Sequence, residues 1–338
     1  MIPAMKSGKK RTNRTATGPR AKGPRQLLPK LVLLLVSLGV AGIIAEIGLR
    51  FFFADRFHVF QDERNAVFRY DQTLGWFPIP NSGARLVASR PITVVHNSRG
   101  FRGPEPVRNG KPGIMFLGDS FVWGYDVEAT ERFTDKLQAK HPEWNVFNMG
   151  VSGYGTDQEY LLLQKHFDDY RPRVVFLMFS TETDPVDNRA NVRYGGYYKP
   201  YYTVDDNRLA LHGVPVPRAE KAFLADHELL GHSYLVRLLT RVWFELGGPR
   251  PLYNTDPTGA LMLDLQRYVQ VKGAVLLVGL TDSDPELEEA LKFLKVPYII
   301  LSTPLRYPDF GGHWTPEGHT FVSERIEQFL LQGKYMGP

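Results

Sequence analysis

The chain has 338 residues, 43% hydrophobic and 23% charged, which suits one large globular domain or two small ones. It has no cysteine, so disulfides and thiolate chemistry are excluded. The net charge of +5 comes from a tail: nine Lys or Arg and no acid lie in residues 1–30, while the other 32 basic residues face 36 acidic ones, a balance of −4. The fold itself therefore lacks the basic surface that nucleic-acid binding requires, and no nucleic-acid partner is expected.

In chain order, residues 1–30 read as a basic cytoplasmic tail, polar and Gly/Pro-rich, and disordered over 1–26. Residues 31–49 (LVLLLVSLGVAGIIAEIGL) are interrupted only by Ser37 and Glu46. At about 1.5 Å per residue they reach roughly 28 Å, close to a bilayer core. No polar face marks them as a soluble helix. The −3 and −1 positions of a signal-peptidase site are poorly matched, so the segment reads as an uncleaved transmembrane anchor. The basic flank predicts a cytoplasmic N-terminus, and thus a single-pass protein of the inner (cytoplasmic) membrane with its C-terminal domain extracytoplasmic.

Residues 50–112 carry many turn signals, with short strands at 85–87 and 92–95, and read as a β-rich collar. From residue 113, apolar runs at 114–117, 146–149, 174–179, 274–278 and 296–301 alternate with helical stretches at 128–140, 156–169, 259–271 and 285–294. That alternation predicts βαβ units: an α/β, flavodoxin-like three-layer αβα domain over 113–338 with a five-stranded parallel sheet. Thr315-Pro316-Glu317 predicts the start of a closing helix, 316–331. Residues 185–258 break the pattern as an insertion, either a lid or substrate wall or a tyrosine-rich loop packed on the surface. It holds five tyrosines within RYGGYYKPYY (193–202) and a helical stretch at 219–246.

Gly118-Asp119-Ser120 follows the first sheet strand, which puts a serine hydroxyl at the edge where open α/β sheets keep their sites. The second strand leads into Asn148-Met-Gly-Val-Ser-Gly-Tyr-Gly, whose glycines allow a backbone N–H to approach a substrate closely. Ser152 in this segment is a rival nucleophile without the G-x-S-x-G elbow. The third strand leads into Ser180-Thr-Glu-Thr183-Asp184. The last loop, Asp309-Phe-Gly-Gly-His313, carries a histidine able to point at the same edge, whereas His319 falls in the first turn of the closing helix and reads as packing or capping. No H-E-x-x-H or cysteine-based metal signature is present, and no metal or cofactor is expected.

These four segments at successive strand ends resemble the blocks of the SGNH/GDSL hydrolases over 113–331, less the insertion. More loosely, NSRGFRG (97–103), GVSGYGTDQE and YKPYY…VPVP are similar to a membrane-anchored bacterial subgroup of that family. The resemblance implies Ser120 as nucleophile, His313 as general base, and an oxyanion hole from Ser120, Gly153 and the third-block position, here Thr183. Two positions depart from the family. Thr183 stands where an asparagine donor is usual. The acid expected three or two residues before the histidine is replaced by Phe310 and Gly311, which leaves either Asp309 or a backbone carbonyl to orient His313.

The function implied is a membrane-anchored extracytoplasmic serine esterase or O-acyltransferase acting on O-acylated (acetylated) cell-envelope or exported glycan. The alternative is a catalytically impaired SGNH-fold protein serving as a glycan-binding or scaffold module.

Overall fold

The computed structural model describes residues 27–53, 66–107, 109–194, 196–206, 208–309 and 311–337. Most of the expected basic tail lies outside the described residues. The chain forms two compact units. The first contains the N-terminal helix together with Ser233–Leu235, and the second contains the other described residues.

In the first unit, α1 (Leu27–Phe52) is an apolar helix, and its residues 28–52 are long and apolar enough to cross a membrane. It contains the whole of the predicted segment 31–49.

The second unit begins with two antiparallel hairpins, β1 (Phe68–Asp71) with β2 (Gly75–Pro78), and β3 (Gly83–Val87) with β4 (Pro91–Val95). The sheet domain follows: β5 (Gly113–Leu117), α2 (Ser120–Trp123), α3 (Phe133–Lys140), β6 (Asn145–Asn148), α4 (Thr156–Tyr170) and β7 (Val174–Phe179). After β7 come α5 (Asp184–Asn188) and two small hairpins, β8 (Val192–Arg193) with β9 (Tyr197–Tyr198) and β10 (Tyr201–Asp205) with β11 (Arg208–His212). Three helices follow: α6 (Glu220–Asp226), α7 (Glu228–Gly231) and α8 (Tyr234–Gly247). The chain then returns through α9 (Thr258–Val271), β12 (Val275–Leu280), α10 (Pro285–Leu294), β13 (Tyr298–Ile300) and α11 (Pro316–Gln332).

The five sheet strands run parallel in the order β13-β12-β7-β5-β6, which is the flavodoxin-like order, with its topological switch between β5 and β7. Side chains alternate across the sheet with period two. Ile114, Phe116, Val174, Phe176, Met178 and Leu277 join one apolar cluster, which also takes residues of α3 and α11. Met115, Leu117, Val175, Leu177, Leu276 and Val278 join the other, against α4, α9 and α10. Strands buried on both faces explain why the sequence shows continuous apolar runs rather than polar alternation.

The hairpins ahead of the sheet pack into that second cluster through Phe68, Trp76, Phe77, Leu86, Ile92 and Val94. The insertion is more structured than its tyrosine content suggests. It has two hairpins, and Tyr202 is buried in the same cluster. The closing helix starts as its sequence predicts, with Thr315 Oγ1 accepting the Gly318 N–H at 3.2 Å and Pro316 in the first turn.

Candidate active site

Because the strands are parallel, the C-terminal ends of β5, β6 and β7 share one edge, and the loops leaving them meet there. Met149 N donates to Phe116 O and Val151 N to Gly118 O, zipping the second loop to the first. Gly118 turns the chain tightly, since a Cβ there would lie 2.4 Å from the Val122 side chain. Asp119 then caps α2, its Oδ1 accepting from Phe121 N at 2.9 Å, and Ser120 is the first residue of that short helix.

His313 reaches Ser120 from the loop before α11. Its carbonyl accepts from Tyr307 N, and Asp309 O accepts from Gly312 N. Gly311 and Gly312 both have left-handed backbone, φ +94° and +63°, which a residue with a Cβ would strain to adopt. His313 Nε2 lies 2.8 Å from Ser120 Oγ, and the histidine is buried between the rings of Phe121 (centroids 5.4 Å apart) and Tyr125 (4.7 Å).

The other ring nitrogen corrects the expectation for the acid. His313 Nδ1 faces Asp126 Oδ2 at 3.3 Å, whereas Asp309 is exposed and accepts a hydrogen bond from Ser89 Oγ at 2.8 Å. Asp126 is fully buried. Ser89 N donates to its Oδ1 at 2.9 Å, and Ser89 Oγ lies 3.2 Å from its Oδ2. The Ser89 hydroxyl proton can serve Asp126 or Asp309, one at a time.

Buried Arg102 holds the loop that carries Asp126. Its guanidinium donates to the carbonyls of Gly124, Val127 (2.7 Å) and Thr93 (3.1 Å). Burial and the neighbouring Arg132 pull the Arg102 guanidinium down to about 9. Arg102 belongs to the NSRGFRG segment, which thus supports the site without reaching the reacting atoms. Nothing in the local sequence marks Asp126 or Ser89. The contact to His313 spans 187 positions and exists only in three dimensions.

Gly153 sits on the loop after β6 with φ +82°, and a Cβ there would lie 2.3 Å from the Tyr194 hydroxyl. The insertion therefore covers this loop through Tyr194, whose ring also lies near Trp76 (centroids 6.4 Å apart). Ser152 is buried, its carbonyl accepting from Trp76 Nε1 at 3.1 Å. Thr183 turns its hydroxyl inward, donating to Ser180 Oγ at 2.8 Å and lying 3.4 Å from Asp119 Oδ2. His319 is buried in α11, its Nδ1 accepting from Phe133 N at 3.3 Å, and burial pushes it down to about 3.

Beneath the edge lies a buried carboxyl group cluster: Asp119, Asp157, Glu159, Asp184 and Asp187. Lys199 pairs with Asp157 and Arg193 with Asp187. Burial pushes Asp187 up to about 7 against the pull of Arg193 and Lys199. Burial and then the neighbouring carboxylates drive Glu159 well above the usual range, and neither of its carboxyl oxygens has a hydrogen-bond partner. Asp119 is also raised, by burial, while the Phe121 N–H and the nearby His313 and Arg193 oppose the shift.

No family model matches the chain, and no curated protein does. Among solved structures, it is similar to the psychrotrophic esterase EstA from Pseudoalteromonas sp. at 10% identity and TM-score 0.38, over 66% of this chain and 98% of that one. It is similar to Est24, a carbohydrate acetylesterase from Sinorhizobium meliloti, at 13% identity and TM-score 0.35, over 66% and 99%. It is also similar to a GDSL-like lipase from Bacteroides thetaiotaomicron at 12% identity and TM-score 0.35, over 68% and 93%. Likenesses this distant assign no residue a role. In its strand order, its four strand-end segments and its serine–histidine pair, the chain resembles the SGNH/GDSL hydrolases, a group that acts on ester bonds.

Proposed function

We propose that the protein is a serine-dependent carboxylic ester hydrolase or O-acyltransferase. The observation that carries this reading is the continuous chain Ser120 Oγ–His313–Asp126 at the C-terminal edge of the sheet. In the proposed reaction His313 Nε2 takes the Ser120 proton as Oγ attacks the ester carbonyl carbon. The tetrahedral oxyanion is held by the backbone N–H groups of Ser120 and Gly153, with Thr183 beside them. His313 then returns the proton to the departing alkoxide, leaving an acyl group on Ser120. Water, or an acceptor hydroxyl, attacks that acyl group with His313 again as base. Asp126, rather than Asp309, holds the Nδ1–H and stabilises the imidazolium as it forms.

The substrate we infer is an O-acylated, acetyl-bearing glycan of the cell envelope or an exported polysaccharide. Tyr194 over the Gly153 loop supports this, because a flat aromatic wall suits a sugar ring. The apolar length of α1 supports anchoring in the inner membrane, and the basic flank supports an extracytoplasmic catalytic domain.

A second reading is a glycan-binding or scaffold module without turnover. It is favoured by the Thr183 hydroxyl, whose proton goes to Ser180 Oγ. Fluorophosphonate labelling of the full chain separates the two. Labelling lost in Ser120→Ala supports the enzyme, while well-folded protein that never labels supports the binding module. A C-terminal reporter active only outside the cytoplasm would support the orientation.

A further inference from the structure

We propose that α8 lies along the membrane surface, its exposed apolar stripe sunk among the lipid headgroups of the bilayer that α1 crosses. This rests on the membrane reading of α1.

Leu235, Leu239, Val242, Trp243 and Leu246 fall at i, i+4, i+7, i+8 and i+11. At 3.6 residues per turn those positions share an arc of about 100°. Four of them are uncovered, with Leu239 59%, Val242 41%, Trp243 75% and Leu246 83% exposed. Just before the helix, Leu229 is 88% exposed. Single exposed apolar residues are ordinary, but a continuous stripe along a helix marks a surface meant to be covered.

The start of α8 indicates what covers it. Ser233–Leu235 belong to the same compact unit as α1. Glu46, near the C-terminal end of α1, accepts from Tyr234 N at 3.0 Å, Leu235 N at 2.8 Å and Ser233 Oγ at 2.8 Å. The Arg50 guanidinium lies over the Tyr234 ring, 5.0 Å from its centre. A Cβ on Gly42 would sit 3.9 Å from a Leu235 methyl. Leu235, the first residue of the stripe, therefore lies against the helix assigned to the membrane. Glu46 is the only acid in the apolar run, and beside its ion pair with Arg50 at 2.7 Å this carboxylate caps the start of α8. The rest of α8 has the character of an interfacial helix: a tryptophan lies on the apolar stripe, and the charged residues Arg237, Arg241 and Glu245 lie off it, Arg241 pairing with Glu245 at 2.8 Å.

Trp243 is its own probe. Trp76, Trp123, Trp144 and Trp314 are all at most 6% exposed, so Trp243 is the one tryptophan open to a surface quencher. The full chain is reconstituted into phosphatidylcholine–phosphatidylglycerol vesicles, with or without lipids brominated near the glycerol end of the acyl chain. The expected result is a loss of emission with brominated lipid that Trp243→Phe abolishes, together with protection of Trp243 from aqueous iodide. Equal iodide quenching in vesicles and in detergent would overturn the proposal. So would a blue-shifted emission that ignores brominated lipid and follows protein density, because a second copy of the chain would then cover the stripe. Carbonate extraction of the same vesicles separates the two readings. If the chain is extracted, the α1 anchor fails; if it stays while Trp243 remains aqueous, only the α8 proposal fails.

Discussion

Asp126→Asn tests the proposed chemistry most directly. Asn keeps the size and accepts the left-handed backbone at this position, φ +66°, where a branched residue would be strained. Its side-chain oxygen can still receive the Ser89 N–H, so the loop should keep its shape. What changes is the charge facing His313. An imidazolium and a carboxylate 3.3 Å apart attract by about 5 kcal/mol at an effective dielectric near 20. At about 1.4 kcal/mol per decade, that sets a ceiling of between three and four decades on the rate loss. The Asn amide would also offer a donor to Nδ1 and favour the wrong imidazole tautomer. We expect kcat on an aryl acetate to fall about 10³-fold with KM little changed, and fluorophosphonate labelling of Ser120 to slow in parallel. Asp309→Asn should be nearly silent, because its carboxylate meets Ser89 and not the histidine. A full-rate Asp126→Asn protein beside a crippled Asp309→Asn protein would refute the assignment.

Three further outcomes are expected. Gly311→Asp, which would restore an acid two residues before His313, should lower activity and not raise it: φ is +94° there, and the new Cβ would lie 3.2 Å from the His313 ring. Steady-state esterase rates check this, and a gain would show that the loop relaxes freely. Thr183→Asn lengthens the side chain at a position whose hydroxyl now donates to Ser180, and should raise kcat by up to about 10²-fold if it adds an oxyanion donor; an unchanged rate would leave that task to backbone N–H groups alone. Glu159→Gln should stabilise the fold increasingly as pH rises. Glu159 is held protonated in the native state while the unfolded chain ionises above its ordinary value of 4.5, so wild-type stability drops with rising pH through that window and the Gln protein is spared. Thermal melts at pH 5 and pH 8 would show the Tm difference widening in favour of Gln at pH 8, and an equal difference at both would mean that Glu159 is ionised in the native state.

Much of this architecture was legible in the sequence because it depends on local pattern. A sheet strand buried on both faces must be apolar throughout, so residues 114–117 and 174–179 declare themselves. The helix at 316 announces its start through a threonine cap and a proline that needs no N–H partner. The unbroken apolar run in α1 needs no tertiary partner to be seen. Ser120 follows a strand and His313 sits between glycines and a helix start, and both positions can be read from neighbours a few residues away. The insertion was harder. Its hairpins bury Tyr202 and cover Gly153 with Tyr194, but tyrosines carry no strict periodicity, so the composition suits a loop equally well.

Tertiary structure alone decided how His313 is oriented. The sequence offered Asp309, four residues away, because proximity along the chain is the only distance a sequence shows. In the fold, the two glycines turn the histidine toward β5, and Asp309 swings out to Ser89. Asp126 comes up on the other side, its loop held by buried Arg102. Thr183 likewise occupies the place the block order predicts, yet its hydroxyl points where Ser180 and Asp119 stand. Local sequence sets which backbone a segment adopts, because propensity and burial act residue by residue. Which carboxylate meets a histidine depends on the packing of segments far apart in the chain, and that is settled only when the core closes.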